Sequence, residues 1–310
     1  MSLYVVNKPL GRTSHDCVDV ARKQLGTRRV GHTGTLDPLA TGVLILAVNA
    51  STKLVPFLTA EDKEYIAWVS FGAATPTLDA EGPIAETAEK LPSRRELEAA
   101  LPKFIEVTEQ IPPAYSAIKV GGVKAYEAAR KGEALELEAR PAKYHEVALL
   151  SFDEGVIAHK IAPSARGWEL SERGRQIELP KALGQFPTAV LRLVVGSGTY
   201  VRSFARDLGE ALGTKAFLSG LVRTRVGKVG LEQAQSLDQI EPAKTLEVIS
   251  SLSCPIIELS HAEVKRVTEG VPLPIPAKGY VALLSPQRKL VAMAEGDGFK
   301  LRIKRVLKGE

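Results

Sequence analysis

The sequence predicts an α+β fold: a mixed, largely antiparallel sheet flanked by helices, with a small β-rich unit at its C-terminal end. Three observations carry this. Strand-like and helix-like segments do not alternate regularly, so a doubly wound parallel sheet is not expected. The helical runs are short and individually capped, while the β-rich runs alternate or form brief apolar stretches. From Ile256 the composition shifts, and Pro272, Pro274 and Pro276 precede three further strand-like pieces.

Thr13-Ser14-His15-Asp16 is a helix start, because a hydroxyl and an acid three residues on satisfy the free amides. Val18, Ala21 and Leu25 then share one face, and Gly26 ends the helix. Residues 44–48 are an apolar run of buried-strand type, and 64–71 (EYIAWVSF) alternate with β-rich side chains. Ser93-Arg94-Arg95-Glu96 repeats the capping pattern over Leu97 and Leu101. Residues 123–131 are expected as a short helix, and 147–152 and 189–195 as strands. The stretch 153–187 between those strands is charged and punctuated by Gly155, Pro163, Gly167, Gly174, Pro180, Gly184 and Pro187. It reads as an insertion decorating the domain. Residues 201–212 form a helix with Phe204, Leu208 and Leu212 on one face, stopped by Gly213. A further helix is expected over 237–253. Strand-like pieces at 280–284, 290–294 and 299–307 close the chain. The expected division is a domain over 1–250, with the insertion at about 153–187, and a small β-rich domain over 251–310.

Composition narrows the function class. With 310 residues, 45% hydrophobic and 25% charged, the chain is neither disordered nor fibrous. The balance of 41 Lys+Arg against 36 Asp+Glu, a formal +5, permits an anionic partner without demanding one. Cys17 and Cys254 are two lone cysteines, which favours a reducing compartment over a disulfide framework. Lys8 and Arg12 interrupt any apolar run near the start, and residues 43–48 are far too short to span a bilayer. A soluble, cytoplasmic protein is expected, without a membrane partner.

Several chemistries are weakly supported. Gly196-Ser197-Gly198 lacks the rest of a dinucleotide fingerprint, no phosphate-binding loop ends in Gly-Lys-Ser/Thr, and there is no Gly-x-Ser-x-Gly elbow. His15, His32, His145, His159 and His261 never pair at metal spacing, so no metal site is expected. The densest segment is RRVGHTGTLDPLATG, residues 28–42. Asp37 is the only carboxylate between Asp19 and Glu61, and Pro38 pushes it out of helical geometry. Such a residue can act as nucleophile or as general acid/base, although Asp-Pro is also ordinary turn chemistry. Tyr65 opens a strand, where packing alone would explain it. Arg202 sits in the first turn of a helix after GSGTY, where it can clamp a carboxylate in two hydrogen bonds or form a structural ion pair. Basic clusters lie at Arg22 to Arg29, Lys119 to Lys131, Lys215 to Lys228 and Lys300 to Lys308. Beside glycines and aromatics they suit a phosphate backbone better than a membrane.

These residues also carry a family resemblance. GHTGTLDPLATGVL resembles the catalytic loop of the TruB family, the tRNA pseudouridine-55 synthases. NKPLGRTSHD, KEYIAWVSFG with TLDAEG, QIPPAYSAIKVGGVKAYEAARKG and GSGTYVRSFARDLGEALG resemble further motifs of that family, in the same order. The resemblance implies the pseudouridine synthase fold and a C-terminal β-barrel of the PUA type that grips the acceptor stem of tRNA. It implies isomerisation of uridine 55 in the T arm with no cofactor, and nothing in the sequence suggests more than a monomer. Asp37 would be the catalytic aspartate, Tyr65 would stack on the target base and help remove a sugar proton, and Arg202 would hold Asp37 ionised. Tyr200 would line the pocket, and His32 would take the place of a flipped base. Lys8 and Pro9 would support the loop. The segment 115–131, with Lys119, Lys124, Tyr126 and Arg130, would close over the RNA. Ser197 departs from the pattern, since many members carry Lys there. Three rival functions stay open on the sequence: a tRNA-folding chaperone without required catalysis, an N-glycosylase and, ranked last for want of long basic tails, an enzyme acting on a different RNA uridine in a guide-dependent particle.

Overall fold

The strand Lys63–Phe71 is buried at every position and lies inside a nine-stranded sheet. The path runs Tyr144–Asp153, Thr188–Val195, Lys63–Phe71, Ala216–Val226, Ala40–Val48, Ser2–Lys8 and Gln235–Ser236. Val229–Gly230 and Val30–His32 pair off this path. Two pairings are parallel, between Ala216–Val226 and Ala40–Val48 and between Ser2–Lys8 and Gln235–Ser236; the others are antiparallel. The sheet is therefore mixed and largely antiparallel, as expected. This is a computed structural model, and it describes residues 1–133, 135–153, 160–180 and 186–307. His159, Lys181, Lys308 and the glycines at 155 and 184 lie outside the described residues.

Alternation along the strands builds a core on each face. Tyr65, Ala67, Val69 and Phe71 face the helix Val201–Ala211 through Phe204 and Leu208. Tyr4, Val6, Leu44 and Leu46 face the helix Ser14–Gln24 through Cys17, Val18 and Ala21. Ile66 and Trp68 point the other way, into a core shared with Val43, Ile45 and Val222. Thr13 and Ser93 form the expected capping boxes, starting Ser14–Gln24 and Arg94–Ala100.

Three expectations need correction. The stretch 153–187 does not merely decorate the surface. Lys160–Ser164, Gly167–Leu170 and Arg175–Gln176 form a three-stranded sheet that places Ile161, Trp168 and Ile177 in the core beneath Trp68. Residues 237–253 are not one helix; only Val248–Ser251 is helical, capped by Glu247. Pro242 cannot sit in a helix interior, and the Gln24 side chain instead binds the carbonyl of Leu237 and the amide of Ile240. The expected helix over 123–131 is shorter, at Ala125–Arg130, and follows a hairpin of Lys119–Val120 and Val123–Lys124.

At the C-terminal end, Lys278–Leu284, Leu290–Asp297 and Leu301–Val306 match the three expected strands. Ile256–Glu258 adds a fourth, parallel strand, and the capped helix His261–Thr268 covers one face of the sheet. Leu284, Met293 and Leu307 on the other face join the core of the main sheet, and Phe57 meets Tyr280 edge-on at 5.0 Å between centroids.

Candidate active site

The loop between Val30–His32 and Ala40–Val48 is held by side chains from two other parts of the chain, Lys8 and Ser14 near its start and Arg223 far along it. Ser14 Oγ accepts from the amide of Leu36 at 2.8 Å and donates to its carbonyl at 3.2 Å. Arg223, only 1% exposed, donates to the carbonyls of Val43 at 2.7 Å, Gly34 at 3.1 Å and Thr35 at 3.5 Å. Lys8 is fully buried, and its ammonium donates to the carbonyls of Pro9, Arg12 and Pro38. Gly42 is required where the loop enters its strand. Its φ is +106°, and a Cβ there would lie 2.2 Å from the Arg223 carbonyl oxygen.

This scaffold presents the carboxylate of Asp37 to Arg202. Arg202 Nε lies 2.9 Å from Asp37 Oδ2, and Nη2 donates to Oδ1 at 3.2 Å. The fork is two-pronged, the geometry in which guanidinium and carboxylate hold each other most firmly. Arg202 is itself fixed: Nη2 also donates to the carbonyl of Tyr115 at 3.0 Å, and Nη1 to that of Thr77 at 3.1 Å. A second carboxylate, Asp79, is 2% exposed and lies 3.6 Å from Arg202 Nε. Burial pushes its pKa above the ordinary value, against the opposing pull of Thr77 and Arg202. Glu81 is also raised, chiefly by burial and then by repulsion from Asp79 and Asp37.

Asp37 and Arg202 open onto a cleft of about 600 Å³, a size suited to a nucleotide. Tyr65, Tyr115, Tyr126 and Tyr200 give it aromatic walls. The Tyr65 ring is 8% exposed, and its hydroxyl makes no hydrogen bond among the described residues. Tyr200 precedes the Arg202 helix, where a side-chain amide takes the place of a cap. Gln110 Oε1 accepts from the Tyr200 amide at 2.9 Å, and Nε2 donates to the Tyr200 carbonyl at 3.1 Å and to Tyr144 Oη at 2.8 Å.

The remaining sequence candidates are placed unequally. Tyr126 lines the cleft, with Lys124 Nζ 5.4 Å and the Arg130 guanidinium 5.6 Å from its ring centroid. Lys119 is exposed in the adjoining hairpin. His32 is half-buried beside the cleft, outside its lining, and its Nδ1 accepts from the Gly34 amide at 3.3 Å. Burial, and then Arg223, lower its pKa and favour the neutral ring. Lys8 is enclosed by backbone carbonyls beneath the loop, a support rather than a contact surface. Its pKa is lowered to about 8, mainly by burial. Asp79, Gln110, Arg223 and Lys63 belong to the site although sequence reasoning did not single them out as site residues. Asp79, Lys63 and Gln110 stand in the quoted motifs TLDAEG, KEYIAWVSFG and QIPPAYSAIKVGGVKAYEAARKG, the one signal that pointed to them. Among the described residues no group of His, Cys, Asp and Glu is placed to hold a metal ion, and no helix is long and apolar enough to cross a membrane.

Known proteins with this sequence and shape are consistent. The family profile described as "TruB family pseudouridylate synthase (N terminal domain)" matches residues 22–167. The tRNA pseudouridine synthase B of Thermus thermophilus is 67% identical over 311 residues, spanning 100% of both chains. That of Deinococcus radiodurans is 47% identical over 306 residues, covering 98% of this chain and 99% of the other. In shape, a chain of the crystal structure of a Cbf5-Nop10-Gar1 complex aligns with a TM-score of 0.69. It covers 99% of this chain and 85% of that one at 22% identity, a likeness of fold. With two thirds of its residues identical along the full length of one such enzyme, this chain belongs to the TruB family of pseudouridylate synthases.

Proposed function

We propose that this protein isomerises uridine to pseudouridine in tRNA, at position 55 of the T loop. The names of its relatives support tRNA as the substrate. The observation that carries the mechanism is the two-pronged Asp37–Arg202 pair facing a tyrosine-walled cleft. The reaction breaks the N1–C1′ bond, turns the uracil, joins C5 to C1′, and moves a proton from C5 to N1. Nothing is oxidised and no group enters from outside, so no cofactor is called for. An ionised carboxylate is needed, to bond covalently to the substrate or to balance a sugar cation. Arg202 holds the Asp37 carboxylate in place through both of its oxygens. Tyr65 stacks on the base and assists in removing a sugar proton. Flipping the base out costs a few kcal/mol, and stacking on an aromatic ring returns about 1–3 kcal/mol.

His32 fills the gap left in the RNA stack, a role its neutral ring suits. Tyr200 shapes the pocket, and Lys119, Lys124, Tyr126 and Arg130 close over the strand. Residues 1–250 form the catalytic unit. Residues 251–310 form a PUA-like unit for the acceptor stem, its exposed Lys300, Arg302, Lys304 and Arg305 suited to phosphates. The protein works as a monomer.

The test is tritium release from C5-labelled uridine in an unmodified T-arm stem-loop, with RNA binding followed in parallel. Wild type should release the label; Asp37→Asn should bind and release none. Tight binding by wild type with no release would instead identify an RNA-folding protein.

A further inference from the structure

Adjacent residues of a strand point to opposite faces, so Glu64 lies behind the cleft wall that Tyr65 forms. Its side chain is buried, and its carboxylate gathers donors from two other elements. Oε1 accepts from the Trp168 amide at 3.0 Å and from the Thr224 hydroxyl at 3.1 Å. Oε2 accepts from Arg225 Nη2 at 3.2 Å. The Thr224 hydroxyl also lies 3.2 Å from the Glu64 carbonyl oxygen, so Glu64 holds it from both main chain and side chain.

These bonds gather where the pairing of the sheet is irregular. In Ala216–Val226, Arg223 stands opposite Tyr65 and Arg225 opposite Glu64, which leaves the buried Thr224 as the extra residue of a bulge. Opposed residues share a face, so Arg223 lies on the cleft side with Tyr65 and Arg225 behind it with Glu64. A regular ladder continued from the Glu64–Arg225 pair would place Arg223 opposite Ile66, turned away from the cleft. Arg223 could not then reach the carbonyls of Gly34 and Thr35 in the loop that carries Asp37. The insertion closes over this point from behind. Gly167 has φ +117°, and a Cβ there would lie 3.1 Å from both carboxylate oxygens of Glu64.

We propose that Glu64 is a positioning residue for the isomerisation. Closed over by Gly167 and Trp168 of the insertion, it fastens the Thr224 bulge. The bulge in turn keeps Tyr65 and Arg223 on the cleft side, and Arg223 keeps the Asp37 loop in place. This rests on the proposed function and gives the insertion a part in it. Glu64 points away from the cleft, so its effect falls on the rate of the bound RNA and not on RNA affinity.

The experiment measures single-turnover rate, affinity for the T-arm stem-loop and melting temperature in wild type, Glu64→Ala and Glu64→Gln. Ile177→Ala removes core packing of the same insertion and no bond to Glu64, so it reports destabilisation alone. Glu64→Ala is expected to slow the bound reaction about 10–100-fold while affinity stays within about threefold. Glu64→Gln keeps an oxygen for Trp168 and Thr224 and should recover most of the rate. Ile177→Ala should melt at a lower temperature and react at the wild-type rate. If Glu64→Ala does not fold, Gly167→Ala leaves Glu64 in place and presses on its carboxylate, and the same split is expected. A wild-type rate in Glu64→Ala overturns the positioning role, as does an equal loss of rate in Ile177→Ala. A rate in Glu64→Gln as low as in Glu64→Ala also overturns it. A wild type that binds the stem-loop without isomerising it, or does neither, marks instead the failure of the proposed function, and this role falls with it.

Discussion

Arg202 commits three hydrogen bonds and an ion-pair contact to three partners, Asp37, Thr77 and Tyr115, and only a planar fork can reach them together. Lysine at this position keeps the charge but offers one point of contact. Arg202→Lys is therefore expected to lower the single-turnover rate by about 10²–10³ while RNA affinity stays within about threefold. A rapid-quench measurement with saturating enzyme checks it. At this scale the sequence showed the residues whose types are unusual where they stand. Asp37 is a lone acid in a Gly-rich loop, and Arg202 follows a glycine turn. It did not show that Gln110, 90 positions away, holds Tyr200, or that Arg223 binds carbonyls. Every residue has a backbone carbonyl, so such a cage leaves no pattern of side-chain types to read.

The segment 160–180 shows how an element can be misread from composition. Its many glycines and charges suggested an insertion that merely decorates the domain. The structure seats Trp168 in the core, and its amide donates to Glu64 Oε1 at 3.0 Å, one residue before Tyr65. Glu64, 3% exposed, also accepts from Thr224 at 3.1 Å and from Arg225 at 3.2 Å. The element thus braces the strand that carries Tyr65. Trp168→Ala should cost about 3–5 kcal/mol of stability, measured by denaturant unfolding. Strands with clean alternation, such as Lys63–Phe71, were legible because period two survives in the letters. The misread helix over 237–253 has the converse cause, since its backbone groups are satisfied by side chains from elsewhere, such as Gln24.

For the whole molecule, the sequence conveyed the class of fold and the shift in composition near Ile256, but not the extent to which the two parts share a core. Met293 and Leu307 lie in one cluster with Ile66 and Trp68, contacts between residues hundreds of positions apart. Stability should also depend on pH through the buried lysines. Lys63 has a pKa lowered from 10.5 to about 8, first by burial and then by Arg223, against Glu61 and Asp62. Below pH 8 both folded and unfolded states hold the proton, and the cost of burying the charge is constant. Between 8 and 10.5 the unfolded chain retains a proton that the folded one has released, so stability rises with pH across that window. Comparing the melting temperatures of wild type and Lys63→Met from pH 7 to 11 isolates this group. Wild type should gain on the variant above pH 8; parallel curves would contradict the assignment.

The loop bearing Asp37 is tied down by Ser14, Lys8 and Arg223, and its carboxylate is already seated against Arg202. Little rearrangement is left for this loop to make when RNA arrives. The conformational work of the encounter then falls on the nucleic acid, whose target base must leave its neighbours before anything can react. The pace of engagement follows from that, because it is set by how readily a given RNA loop loosens. An RNA whose loop is already open meets a fixed receptor and is captured at the rate of collision, while a tightly stacked one is delayed by its own cohesion. Selectivity among RNAs can thus reside in their differing reluctance to unfold, read by a catalytic loop that is already in place.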